Sequence, residues 1–205
     1  PFFGAGGAEA NFFLIGIVNS GKRSQIWVAR AARQERGKAR GRHYCTARKY
    51  DSHMDVKTLA VNALRVAFTL FEKDLEALPE EALTKKFGDA TRTVADIVTE
   101  VNMVNDHIGM TIRGEEPFDW PEGGWIKAPD GFDNKETILA AFRNSSQRVL
   151  ETVEAFTEED LLGKVQTERG ETDRFERCRF MAMHTHYHSG QLNYVQTLCG
   201  DTEWH

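Results

Sequence analysis

The stretch His184-Thr185-His186-Tyr187-His188-Ser189-Gly190-Gln191 is the part of this chain whose residue types and spacing carry recognisable chemistry. Residues four apart share one face of a helix, so His184 and His188 can aim both imidazoles at a common point. His186, two residues from each, is turned about 200° away and belongs in solvent. Met181, Leu192 and Val195 lie on the same stripe as the pair. That stripe sends two polar rings toward a core, where an unpartnered ring is costly. A divalent metal ion would serve both rings at once; hydrogen-bonded core histidines are the competing reading. Gln191 points roughly the same way, and its amide can orient a ligating group or a bound water. Tyr187 is a candidate proton donor beside the site, with a packed ring as the alternative. Gly190 suits a close helix approach.

The elements that must position these residues show in the apolar spacing. A first helix runs over residues 54–78 with Ala60, Leu64, Ala67, Phe71, Leu75 and Leu78 as its seam, and Pro79 stops it. A second starts near Thr93, where Thr93-Val94-Ala95-Asp96 resembles a capping box, and ends at Gly114. Its seam is Val94, Ile97, Val101, Val104 and Ile108. A third begins after Asp133 and carries Ile138, Phe142, Val149 and Val153. The fourth spans residues 173–198 and ends at Gly200. An internal echo links the two halves: Leu78-Pro79-Glu80-Glu81-Ala82-Leu83 follows the first helix and Phe156-Thr157-Glu158-Glu159-Asp160-Leu161 the third. Two facing helical hairpins make a four-helix bundle, whose core is a place where metal sites are built. Strand-like alternation is nowhere sustained, so the fold class is all-α.

Helix, helix, long loop, helix, helix, ending in His184, His188, Gly190 and Gln191, resembles the DinB/YfiT-like superfamily of metal-dependent proteins. The resemblance covers about residues 56–200 and is supported by Thr93-Val94-Ala95-Asp96-Ile97-Val98 at the opening of the second helix. It implies a four-helix bundle that holds zinc, nickel or a similar divalent ion on one His of the second helix and two of the fourth. It also implies chemistry of the kind known in relatives, which include thiol S-transferases and isomerases using a low-molecular-weight thiol. Aligned on the opening of the second helix, this chain departs from the pattern: Glu100 stands where the family places a third histidine. Two imidazoles and one carboxylate remain a competent set with open positions, shifted toward harder ions such as manganese or iron. An exposed Glu100 is the competing reading, and His107 is then the reserve ligand. Asn102 and Asn105 are poorer ligands, suited to supporting or packing roles.

Residues 114–132 form an unusually long connection for a helical bundle. They carry Phe118, Trp120, Trp125 and Phe132, stiffened by Pro117, Pro121 and Pro129. Such aromatic content argues against disorder. The loop is expected to cover one end of the bundle, either walling a substrate pocket with Trp120, Trp125 and His107 or sealing the core.

Charge divides the chain unevenly. Residues 1–53 hold ten Lys/Arg against three acids, +7, which leaves −12 for residues 54–205 out of a net −5. The first 53 residues are expected to be a basic extension, disordered or not native. The reason is that they open on Pro1, run through Gly4-Ala5-Gly6-Gly7, and precede a first methionine at Met54. Mass spectrometry of the endogenous N-terminus tests this. No apolar run approaches the length of a membrane span. Cys45, Cys178 and Cys199 are not spaced as a disulfide or zinc framework, and a reducing, cytoplasmic setting follows. Cys178 and Cys199 read as small apolar residues on the core stripe of the fourth helix. Neither a Ser/His/Asp or Cys/His nucleophile arrangement nor a phosphate-cradling glycine loop accompanies the bundle. The function expected is a metal-dependent hydrolase or thiol S-transferase acting on a small molecule. The alternative is a non-catalytic stress-response or binding protein whose metal is structural or absent. A homodimer is possible, and nucleic acid is an unlikely partner for so acidic a bundle.

Overall fold

The computed structural model describes strands 13–20 and 23–30 and residues 55–205 apart from 124 and 204. The chain divides into two units, Pro1–Ser52 and His53–His205. In the first, β1 (Phe13–Ser20) pairs antiparallel with β2 (Arg23–Arg30), with Phe13 opposite Arg30 and Ser20 opposite Arg23. Strand-like alternation did not announce this hairpin. The runs Phe13-Leu14-Ile15 and Ile26-Trp27-Val28 are continuously apolar rather than alternating, so a search for period two passes over them.

The second unit is built on four long helices: α1 (Val56–Ala77), α2 (Val94–Arg113), α3 (Lys135–Ala155) and, after a one-turn helix α4 (Glu158–Leu162), α5 (Arg174–Leu198). Between α4 and α5, β3 (Lys164–Thr167) and β4 (Gly170–Asp173) form a second hairpin, its tip closing at Gly170 with φ +107°. Four-residue strands are too short to show an alternation, which is why this hairpin was also missed.

Each helix begins where a side chain satisfies its first free N–H groups. Asp55 accepts from Thr58 N, Asp173 from Glu176 N, and Thr93 with Asp96 completes a reciprocal capping box. The third helix is capped by Asn134, one residue beyond the expected Asp133. Gly114 ends α2 in the left-handed region at φ +78°, where a side chain would be strained.

The echoed acidic turns exchange caps. Glu80, in a short 3₁₀ turn after α1, accepts from Lys135 N at the start of α3 (2.9 Å). Glu158, in α4 after α3, accepts from Val56 N at the start of α1 (3.2 Å). Each half of the bundle therefore fixes the first turn of the other.

α1 packs against α3 and α5, and α2 against the same two. Side-chain pairs give the directions. Asn102 and Asp106 of α2 meet Ser145 and Arg148 of α3 in the same order, so these two helices run parallel. Glu100 lies beside His184 while Arg174 reaches the carbonyl of Ile112, so α2 and α5 are antiparallel. Parallel neighbours need a connection that returns the full length of a helix. The long loop does this. Phe118 and Trp120 lie against His107, Lys127 and Ala128 reach Asp96, and Trp125 lies over Arg92. It runs back along α2 rather than covering one end of the bundle, and Phe118, Trp120 and Trp125 stay substantially exposed.

The expected seams are buried throughout α1, α2 and α3, with Phe71 and Phe142 in contact at 4.7 Å between ring centres. Each such side chain contributes about 1.5–3 kcal/mol of burial. α5 differs: half of its eight buried residues are polar, namely Thr185, His188, Ser189 and Gln196. A helix that turns polar groups inward has to satisfy them, and the partners define the site.

Candidate metal centre

Glu100 projects from the middle of α2 and His184 and His188 from the middle of α5, across the seam between the antiparallel helices. His188 Nε2 lies 3.1 Å from His184 Nε2, and Glu100 Oε1 lies 3.5 and 3.6 Å from the same two nitrogens. A tetrahedral ion with bonds of about 2.0–2.2 Å spaces its donor atoms about 3.3–3.5 Å apart. The two distances to Glu100 match that spacing and are long for a hydrogen bond, while the imidazole nitrogens, at 3.1 Å, lie slightly closer together. One carboxylate oxygen and two imidazole nitrogens within reach of one point are a donor set that fits a divalent ion.

Each candidate ligand is held from behind. His188, 2% exposed, places Nδ1 2.8 Å from Gln191 Oε1. A carboxamide oxygen only accepts, so Nδ1 carries the proton and Nε2 offers its lone pair to the common point. Gln191 thus touches the far side of a ligand ring rather than the open side of the centre. His184 stacks on Phe180 at 6.1 Å, and its Nδ1 is buried without a hydrogen-bond partner among the described residues.

Glu100 Oε2 is held by Arg92 Nη2 at 2.5 Å, which leaves Oε1 for the centre. The contacts with His184 and then His188, opposed by burial and aided by the Arg92 charge, hold the Glu100 carboxyl well below the usual carboxylate range. It is ionised at any pH where the histidines can ligate. Arg92 lies in turn under Trp125, 5.0 Å from the ring, and donates to the Asp96 carbonyl. Sequence reasoning missed Arg92. It stands just before the capping threonine, where the helical period carries no information about direction.

The other expected residues fall around this centre. His186 is exposed, as its turn of the helix requires. Tyr187 is 64% exposed and meets the His188 ring edge-on at 5.0 Å, so it is not a packed core ring. His107 does not join the three ligands. It sits two turns away, edge-on to Phe118 and Trp120, where burial pushes its imidazole below the usual range. Trp120 and Trp125 therefore flank two different levels of α2 instead of lining one pocket. Asn105 and Asn102 join Ser145 in a network between α2 and α3, as supporting residues.

Two expectations are corrected. Gly190 faces open space, where an added Cβ would meet nothing within 4 Å, so it permits no close approach. Cys199 is exposed at the end of α5, past the last buried turn, while Cys178 is buried as expected and its thiol is pushed up to about 12 by desolvation. A cleft of about 310 Å³ between α2 and α3 and another of about 320 Å³ beside the end of α5 both lie away from the three ligands. The centre opens instead through the partly exposed edges of Glu100 and His184, 19% and 14% exposed.

A family model described as the DinB superfamily matches residues 63–192. Among curated proteins none matches the chain. Similar solved structures include a conserved protein from Enterococcus faecalis, with 16% identity and a TM-score of 0.56, covering 72% of this chain and 99% of that one. A DinB-like protein from Bacillus cereus ATCC 10987 has 14% identity and a TM-score of 0.58, covering 73% and 95%. The colibactin self-resistance protein ClbS, in complex with double-stranded DNA, has 20% identity and a TM-score of 0.52, covering 69% and 95%. At these identities the likeness is one of fold.

Proposed function

The chain belongs to the DinB superfamily, and on that premise we propose that it is a divalent-metal-dependent enzyme acting on a small molecule, by hydrolysis or thiol transfer. The observation that carries this reading is the convergence of Glu100 Oε1, His184 Nε2 and His188 Nε2 on one point, with the groups behind them already fixed. Three protein ligands leave at least one position open, the arrangement of catalytic rather than structural zinc sites. A bound ion supplies Lewis acidity, which activates water or a thiol at neutral pH. Around it, Arg92 keeps Glu100 singly engaged and Gln191 fixes the His188 tautomer. The exposed Tyr187 hydroxyl is the proposed proton donor. Zinc and nickel suit the imidazole pair, and the carboxylate extends the range to manganese and iron.

Elemental analysis of the purified full chain tests the site. About one ion per chain is expected, lost in His188→Ala, weakened in Glu100→Ala and retained in Glu100→His. Retention in His188→Ala would refute it, and turnover of thiol adducts or esters by the loaded protein then separates the two reactions.

A second reading is favoured by one observation, the ClbS complex with double-stranded DNA. It weakens the expectation that nucleic acid is an unlikely partner. On this reading the bundle binds DNA and the metal orders the fold. Metal that leaves only on unfolding, together with duplex binding whose affinity falls steeply with salt, would support it over catalysis.

A further inference from the structure

Along α5 from the centre, Phe180 stacks on His184, and the Arg177 guanidinium lies 5.2 Å from the Phe180 ring centre. Arg177 makes no ion pair or side-chain hydrogen bond among the described residues, and its Nε is buried without a partner. Burial and then the charge of Arg169, at the tip of the β3–β4 hairpin, disfavour its protonated form, while the Glu176 carboxylate favours it. Arginine stays charged regardless. A half-buried cation without an ion-pair partner is an arrangement that an anion would complete. Across the seam, the same level of α2 presents His107, with Phe118 and Trp120 beyond it. Phe180 therefore lies between Arg177 and the metal centre along α5, with Phe118 and Trp120 at the His107 level of α2.

We propose that this face, along the seam of α2 and α5, binds a small organic anion, its carboxylate on Arg177 and its reacting end at Glu100, His184 and His188. The assignment rests on the metal-centre reading above and names the substrate class for it. Arg177 and His184 are seven residues apart, which sets the two ends of the ligand about 10 Å apart. The guanidinium offers two parallel N–H groups to a carboxylate, and Phe180 lies against the chain between the ends. Arg177 positions the substrate, and the chemistry stays at the centre.

The test uses the full chain loaded with cobalt(II) and two probes of matched length, 8-mercaptooctanoate and 8-mercaptooctan-1-ol. Thiol ligation is read from the sulfur-to-cobalt charge-transfer band, and octanoate alone is titrated calorimetrically. The acid should bind about tenfold tighter than the alcohol, the size of one charge-assisted hydrogen bond. Arg177→Gln should abolish that preference while leaving alcohol binding and metal content unchanged. Arg177→Lys should keep part of it, and Arg179→Gln, on the exposed face, all of it. Equal affinities for acid and alcohol with the band present, or a preference that survives Arg177→Gln, would overturn the proposal while leaving the metal centre intact. A missing band with both probes would overturn the metal reading instead; octanoate binding that depends on Arg177 would then still support the anion subsite, and its absence would end it. If Arg177→Gln fails to fold, the acid-to-alcohol ratio in the wild-type and Arg177→Lys proteins decides. Displacement of octanoate by a short duplex oligonucleotide would reassign the subsite to a phosphodiester and overturn the small-molecule assignment.

Discussion

Arg92→Leu is the substitution that most directly separates a built metal centre from a chance meeting of three side chains. In the wild type the Arg92 side chain is 8% exposed and holds Glu100 Oε2 at 2.5 Å. Leucine keeps most of the buried volume but removes the charge and the donor. A hydrogen bond to a charged group contributes about 1.5–3 kcal/mol. Groups that orient metal ligands from behind govern about 10–100-fold in affinity, which is about 1.4–2.7 kcal/mol. The two ranges overlap, so a fall of one to two orders of magnitude in zinc and nickel affinity is expected. Arg92→Lys should recover part of it, because an ammonium restores charge but not the planar fork. Trp125→Ala is the control. Its ring lies over Arg92 while remaining 63% exposed, and an exposed cation–π contact contributes about 0.5–1 kcal/mol. It should weaken binding by less than about fivefold. Competition against a chromophoric chelator measures all four proteins, with far-ultraviolet dichroism to confirm folding. Wild-type affinity in a folded Arg92→Leu protein would refute the idea that Arg92 positions Glu100.

Three further outcomes follow from the rest of the unit. Asp74 is buried on α1 beneath Ser189, and desolvation, opposed by hydrogen bonds from Ser189 and Asn193, raises its carboxyl above the ordinary range. A carboxyl raised in the folded state favours folding while protonated and loses that contribution as pH rises through its folded value. Asp74→Asn should therefore gain stability relative to wild type as pH rises above about 4; denaturant melts showing a constant difference would contradict this. Gly190→Ala places a methyl group in open space on a helix, so it should stabilise the protein by about 0.5–1 kcal/mol, and a lowered melting temperature would show that the site is crowded after all. Alkylation of the native protein at pH 8 followed by peptide mapping should find Cys199 modified and Cys178 protected, given their exposure and the raised Cys178 thiol.

The fold was legible wherever apolar residues recur at helical spacing. Ala60, Leu64, Phe71 and Leu75 on α1 and Val94, Val101 and Ile108 on α2 are buried as their positions demand. The capping signals were legible for the same reason, since Thr93 with Asp96 and Gly114 act within one turn of themselves. The histidines were legible because a four-residue step is a statement about direction. Glu100 was not legible in that way. It entered through a family alignment, and its place beside the Ile97, Val101 and Val104 stripe allows an inward glutamate without requiring one.

The residues that escaped share one physical property: their partners lie far away in sequence and are set by topology. Arg92 precedes its helix, Arg177 feels the charge of Arg169 in a hairpin whose strands are too short to read, and the loop aromatics take their meaning from the route of the chain. That route follows from the parallel course of α2 and α3, which hydropathy cannot reveal because antiparallel packing would bury the same seams. The parallel course has a consequence for the centre. A connection returning along α2 lays Trp125 at the Arg92 level and Phe118 and Trp120 at the His107 level, so it brackets Glu100 without covering it. A short turn would have left that flank of α2 bare and Arg92 facing water, where its hold on Glu100 would be worth far less. The length of residues 114–132 is thus part of what holds Glu100 at the candidate metal centre.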